Sequence, residues 1–376
     1  MSTDPLAGLG PEQQVLCLAA RTTLDGPARE RLAAAVASGI DWERLWALAH
    51  LHEVVPLLSG TLPVAAGDAV AAEWLARATK RRHVTLGANA RLGEVLLSTL
   101  GALRAAGIDA MPVKGLVVAE QLYGDLGARP CADLDVLVRP ADLPAAREVL
   151  RGEGFAQRAV PRYKALVHQF HDPAWQRVQG PEHIRLELHW ALWADSARRM
   201  GTDGLWQRAV DATLLGQPIR ILSPEDTLLH LSIHRTRSAL RLRWVVDVAE
   251  LLRRHGATLD WAAYEERAAQ AGARTASAVV MTLARDLFDA PVPPDVMARL
   301  AIGQPKRAIL EWTCGRRALF RAAPDGDVKQ QPHLAVRSFE EDGLGRIVRG
   351  LAGSALRPVR EALHDAGLVR ARRRMA

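Results

Sequence analysis

The sequence predicts an α+β protein in which a small mixed sheet is flanked by an N-terminal and a C-terminal helical region. Two observations carry this. Glu182 to Trp190 alternates strictly, with Ile184, Leu186, Leu188 and Trp190 on one side and Arg185, Glu187 and His189 on the other, the period of a half-buried strand. Before and after the sheet-bearing stretch, apolar residues recur at spacings of three and four, the stripe of an amphipathic helix. The chain divides accordingly into a helical region over 1–106, a core over 107–195 and a second helical region over 196–376.

In the first region, Asp41 stands where an N-cap belongs and opens a helix over 42–49. Pro56, Pro63 and Gly67 interrupt the pattern, and one or two longer helices follow over 69–103. Trp42, Trp46 and Trp74 are core candidates. The texture changes at Gly107. Ile108 to Lys114 is short and apolar with Pro112 inside it, which suits an edge strand or a strand start. Gly115 follows, then a helix over 116–122, a polar loop through Arg129-Pro130 and a strand over 133–138. A helix over 142–151 stops at Gly152 and Gly154, and 155–160 is a further strand candidate. Helices return from about Leu205. Ser223-Pro224-Glu225-Asp226 is a strong helix start, a second helix spans 244–252 and a third spans 261–287.

The chain has 376 residues, a formal charge of +7, and hydrophobic and charged fractions of 49% and 24%, ordinary values for a folded globular chain. No segment approaches the roughly 20 apolar residues of a membrane helix. The N-terminus lacks a basic stretch followed by an apolar run, and Cys17, Cys131 and Cys314 are too scattered for a disulfide framework or a zinc knuckle. A cytoplasmic protein is expected. The positive charge permits a polyanionic partner, but the arginines are dispersed along Ala- and Leu-rich helices. Only 369–374 forms a basic cluster, read as a solvated tail able to make weak nucleic-acid contact. Lysine is scarce: Lys80, Lys114, Lys164, Lys306 and Lys329 are the full set.

Three segments carry the chemistry. In Asp133-Leu134-Asp135 the two acids share one strand face. Like charges held that close repel unless a cation sits between them, and hard carboxylate oxygens suit Mg²⁺; a pair of solvated acids at a strand end is the plainer reading. Glu187 lies on the polar face of the alternating strand and would complete a metal-binding set; an ion pair with Arg185 or a neighbouring arginine is the plainer role for it. His189 shares that face and could orient a ligand or substrate; a satisfied structural histidine is the plainer role for it. Lys114-Gly115 ahead of a helix offers a close backbone approach and a point charge to phosphates. His230 and His234, four apart on one helical face, read as packed side chains, and Arg243 and Asp247 share that spacing.

Residues from about 108 to 155 resemble an uncharacterised bacterial nucleotidyltransferase family within the DNA polymerase β superfamily. The resemblance lies in Pro112-Val113-Lys114-Gly115, Leu122-Tyr123-Gly124-Asp125, Arg129, Ala132-Asp133-Leu134-Asp135-Val136-Leu137-Val138 and Gly152-Glu153-Gly154-Phe155. It extends to His52-Glu53-Val54-Val55-Pro56, to Leu186-Glu187-Leu188-His189-Trp190 and to Arg243-Trp244-Val245-Val246-Asp247. It implies a minimal nucleotidyltransferase sheet flanked by helices, with Asp133, Asp135 and Glu187 as catalytic metal ligands. It further implies Lys114, Gly115, Arg129 and His189 on the nucleotide side, Mg²⁺ or Mn²⁺ as cofactor, and an NTP, ATP first, as substrate. The wider superfamily carries Gly-Ser after its first strand, where this chain reads Lys114-Gly115-Leu116. The expected activity is nucleoside monophosphate transfer to an acceptor (small molecule, peptide, protein or RNA) with release of pyrophosphate. The alternative is a catalytically weak nucleotide-binding or regulatory partner in a toxin–antitoxin or biosynthetic complex.

Overall fold

In the computed structural model the described residues are 5–157, 174–179, 182–192, 202–237, 241–303, 306–307, 310–311 and 315–320. The basic cluster at 369–374 and Cys314 lie outside them. Five helices open the chain: α1 (Pro11–Ala19), α2 (Gly26–Ala37), α3 (Trp42–Leu51), α4 (Val55–Ala66) and α5 (Ala72–Ala105). Asp41 caps α3 as expected, its Oδ1 accepting from the Glu43 and Arg44 amides at 3.0 Å each. Trp74 is buried, and Trp42 and Trp46 pack round it with ring centroids at 5.8 and 6.2 Å.

The sheet region follows as β1 (Ala110–Pro112), α6 (Leu116–Tyr123), β2 (Leu134–Val138), α7 (Leu143–Gly152), β3 (Ala156–Gln157), β4 (Trp175–Gln179) and β5 (Glu182–His189). The strand order is β1-β2-β5-β4-β3. Only β2 and β5 run parallel; the other three pairs are antiparallel. Strand β4 was not expected. Its Trp-Gln-Arg-Val-Gln run puts apolar and polar groups on both faces, and Val178 is exposed, so no clean alternation announced it.

Successive strand residues face opposite ways, and the two faces meet different partners. Leu134, Val136, Val138, Ile184, Leu186 and Leu188 join a core with Leu96, Leu100 and Leu103 of α5 and Ala146 and Leu150 of α7. Leu137, which shares the face of Asp135, belongs instead to the larger core built by the N- and C-terminal helices. One face of the sheet is thus a packing surface, and the other holds the polar residues against the helical regions.

The second helical region comprises α8 (Asp203–Arg208), α9 (Pro224–Arg237), α10 (Leu242–His255), α11 (Trp261–Ala271), α12 (Arg274–Phe288), α13 (Pro294–Arg299) and α14 (Arg316–Leu319). Two features depart from the sequence reading. A hairpin, β6 (Val210–Leu214) and β7 (Gln217–Ile221), precedes α9. It turns on Leu215 and Gly216, both at positive φ (49° and 74°), the conformation of a two-residue primed turn. The helix expected over 261–287 is two helices, because Gly272 adopts the left-handed conformation at φ 66° and ends α11. Among the described residues no helix is long and apolar enough to cross a membrane.

Candidate metal and nucleotide site

Strand pairing assembles the site. In the parallel β2–β5 register Asp135 lies opposite Glu187 and Leu137 opposite His189. The apolar alternation of both strands fixes that register, since a one-residue slip would turn Leu186 and Leu188 out of the core. Donor atoms of Asp135, Glu187 and His189 all lie within 4.8 Å of one another. His189 Nε2 donates to Asp135 Oδ1 at 2.9 Å and stands 3.6 Å from Glu187 Oε2. Lys114 Nζ reaches the same Asp135 Oδ1 at 3.0 Å. Asp135 Oδ2 is buried and accepts no hydrogen bond from the described protein. Arg185 Nη2 stands 3.6 Å from Glu187 Oε1, so the plainer ion pair considered for Glu187 is also present, at a loose distance.

Charge coupling is strong because the groups are buried. Burial alone would raise the Asp135 carboxyl, but Lys114 and the hydrogen bond from His189 outweigh it and hold it well below the usual carboxylate range. Burial likewise works against charged Lys114 and His189. The ammonium is nonetheless raised by Asp135, Asp133 and Glu187, and the imidazole by its bonds to Asp135 and Glu187. Asp133 is raised, first by burial and then by repulsion from Asp135. It sits one residue ahead of β2, half-buried and outside the tight group. The expected strand over 133–138 therefore begins one position late, and Asp133 flanks the cluster rather than joining it.

Lys114 and Gly115 arrive from the end of β1. Gly115 caps α6 at φ 59° and ψ −111°, a conformation that disfavours a side chain. A Cβ there would sit 3.5 Å from the Asp133 carbonyl, so the turn brings the start of α6 against the acid-bearing segment. Arg129 does not point to this cluster. It is buried, its Nε and Nη2 donate to the two Asp247 oxygens of α10 at 2.7 and 2.8 Å, and its Nη1 donates to the Gly115 carbonyl at 3.2 Å. Its place is behind the Gly115 turn. Arg243 and Asp247, four apart on α10, have separate partners: Arg243 meets Glu53 at 2.8 Å and the Pro130 carbonyl at 2.9 Å.

One contributor was missed. Asn89, on α5, donates to the Leu126 and Arg129 carbonyls at 2.6 and 2.8 Å and accepts from the Cys131 amide at 3.3 Å. It thereby shapes the loop that delivers Asp133. It is the only asparagine in the chain and sits inside a long helix, where its propensity is poor; that was the available signal. His234 of α9 was read from its spacing as a packed side chain. Its imidazole is pushed well down by burial and then by the charge of Lys114, with Asp135 also felt, which places α9 beside the cluster. His230 and His234 stack at 5.9 Å, and His234 meets Trp244 edge-on at 4.7 Å, so the pair packs as rings, as its spacing suggested.

The pattern of a family described as uncharacterised nucleotidyltransferases matches residues 38–289. This chain belongs to that family. A nucleotidyltransferase-like antigenic protein from Paracoccidioides brasiliensis is a similar solved structure, with 14% identity over 55% of this chain and 96% of that one, at a TM-score of 0.35. No curated protein matches. The nucleotidyltransferase span takes in every site residue described above, the helices from α3 to α12 and both sheets.

Proposed function

We propose that the protein transfers a nucleoside monophosphate from an NTP, ATP first among those to test, to an acceptor in the bacterial cytoplasm. Pyrophosphate leaves. The observation that carries this reading is the β2–β5 register, which sets Asp135 against Glu187 while one buried Asp135 oxygen has no hydrogen-bond partner among the described residues. A buried carboxylate oxygen left in that state is costly unless a cation completes it, so the donor set fits a divalent metal, Mg²⁺ or Mn²⁺. Such an ion supplies neutralisation of charge on the phosphoryl oxygens.

The chain's own residues do the rest. Asp135 and Glu187 would hold the cation, with Asp133 flanking them. Lys114 balances triphosphate charge, and the Gly115 turn lets the first amides of α6 approach a phosphate. Arg129 acts as a positioning residue by tying the Gly115 carbonyl to Asp247. Glu187 takes the proton of the acceptor hydroxyl as its oxygen bonds to the α-phosphorus and the bond to the β-phosphate oxygen breaks. The helices around His234 form the acceptor side, and the acceptor is a small molecule, a peptide, a protein or RNA.

The test is incubation with α-labelled NTPs, Mg²⁺ or Mn²⁺ and candidate acceptors. Label is expected to transfer with the wild-type protein and to fall by at least about 100-fold with Asp135→Ala; equal labelling by the two proteins would overturn the proposal. One observation favours a second reading. Lys114 and His189 both already bond Asp135 Oδ1, an internal neutralisation that suits a nucleotide-binding regulator. Tight Mg-NTP binding without pyrophosphate release from any acceptor would support that reading.

A further inference from the structure

We infer that His189 is itself a metal ligand, and that the site therefore selects a first-row transition ion such as Mn²⁺ over Mg²⁺. This rests on the metal-binding reading above and extends it to the chemistry of the donor set. The tight group contains two carboxylates and one imidazole. Mg²⁺ takes oxygen ligands almost exclusively and sheds water reluctantly, whereas imidazole nitrogen favours the first-row transition ions.

The spacing agrees with shared ligation. Two donors each ~2.1 Å from one ion lie about 3 Å apart at a right angle, and somewhat farther apart at a tetrahedral angle. His189 Nε2 stands 2.9 Å from Asp135 Oδ1 and 3.6 Å from Glu187 Oε2, so the nitrogen already occupies ligand-to-ligand distance from both acids. The ring is 96% covered, sits on the same face of β5 as Glu187 and aims Nε2 between the two carboxylates. Nε2 donates to Asp135 Oδ1; a cation would take that nitrogen's lone pair as the Nε2 proton leaves to solvent and the other ring nitrogen keeps its own. Lys114 also bonds Asp135 Oδ1, and Oδ2, which has no hydrogen bond among the described residues, gives that carboxylate a second oxygen to offer.

The test is electron paramagnetic resonance of Mn²⁺ bound to the full-length protein, with Mg²⁺ as competitor. Expected are binding of Mn²⁺ at least about tenfold tighter than of Mg²⁺ and an electron-spin-echo modulation from a directly bound ¹⁴N. In His189→Gln the modulation should vanish and Mn²⁺ affinity fall by about 10–100-fold, while Mg²⁺ affinity changes little. The wild-type echo needs no variant and so keeps the test decisive if that substitution unfolds the chain. Bound Mn²⁺ without nitrogen modulation, or equal affinity for the two ions, overturns this inference and leaves metal-dependent transfer standing. Binding of neither ion overturns both.

Discussion

His52 shows how burial rewrites one residue. It is fully buried, its Nδ1 accepts from the Leu242 amide at 3.2 Å, and burial followed by the charge of Arg241 takes it down to about 3 from 6.5. Below pH 6.5 the unfolded chain gains a proton that the folded chain refuses until near pH 3. Stability therefore falls as pH drops through that window, by up to about 1.4 kcal/mol per unit. His52→Gln keeps an acceptor for Leu242 and removes the titration. Urea unfolding at pH 7 and pH 5 should show the wild type losing about 2 kcal/mol more than the variant; equal losses would refute the assignment. At this scale the sequence was informative wherever a strand's period of two decides the face. Asp135, Glu187 and His189 could be placed on polar faces that way. What alternation does not report is which strands are neighbours, so the bond from His189 to Asp135 and the burial of Arg129 against Asp247 were invisible.

Among the elements, the turn between β1 and α6 is the most exacting. Gly115→Ala places a side chain at φ 59° and should cost about 1–3 kcal/mol, with NTP affinity weakening as Lys114 shifts. Thermal unfolding together with nucleotide titration checks this, and an unchanged affinity would show that the turn does not serve the phosphates. Elements with one strong signal were legible: the Asp41 cap, the Ser223-Pro224 start of α9, whose Ser223 Oγ accepts from the Asp226 amide at 3.2 Å, and the alternating β5. The β6–β7 hairpin was not, because its turn uses Leu215 rather than Asn or Asp ahead of the glycine. Packing explains the choice: a Cβ on Gly93 of α5 would lie 2.6 Å from a Leu215 methyl, so Leu215 is seated where α5 lacks a side chain. Glu120 of α6 accepts from its amide at 3.1 and 3.0 Å.

Over the whole molecule, one large core takes in residues from Leu6 to Leu319 and joins the N-terminal helices to those after the sheet. Buried polar contacts repeat that junction. Asp247 receives Arg129 and also the Tyr123 hydroxyl at 2.7 Å, Arg243 meets Glu53, and Glu250 accepts from the amide and hydroxyl of Thr22 at 3.1 and 2.6 Å. Asp247→Ala leaves a buried guanidinium without its counter-charge and should destabilise by about 3–5 kcal/mol. Replacing both partners, Arg129→Met with Asp247→Leu, should recover much of that loss; urea midpoints of the three proteins decide it, and a double variant no better than the single one would contradict it. The α+β class was readable because periodicity reports each segment's own burial. The shared core was not, since it depends on contacts between segments far apart in the chain.

Asp135 and His189 lie 54 positions apart in sequence, and their approach requires the two central strands to zip with Leu186 and Leu188 already inward. Closing so long a loop precedes any reward from the contacts it creates. A cation held by these side chains would consequently bind only chains that have completed this pairing, and during refolding the arrival of a bound-ion signal should mark the last cooperative step rather than the first collapse.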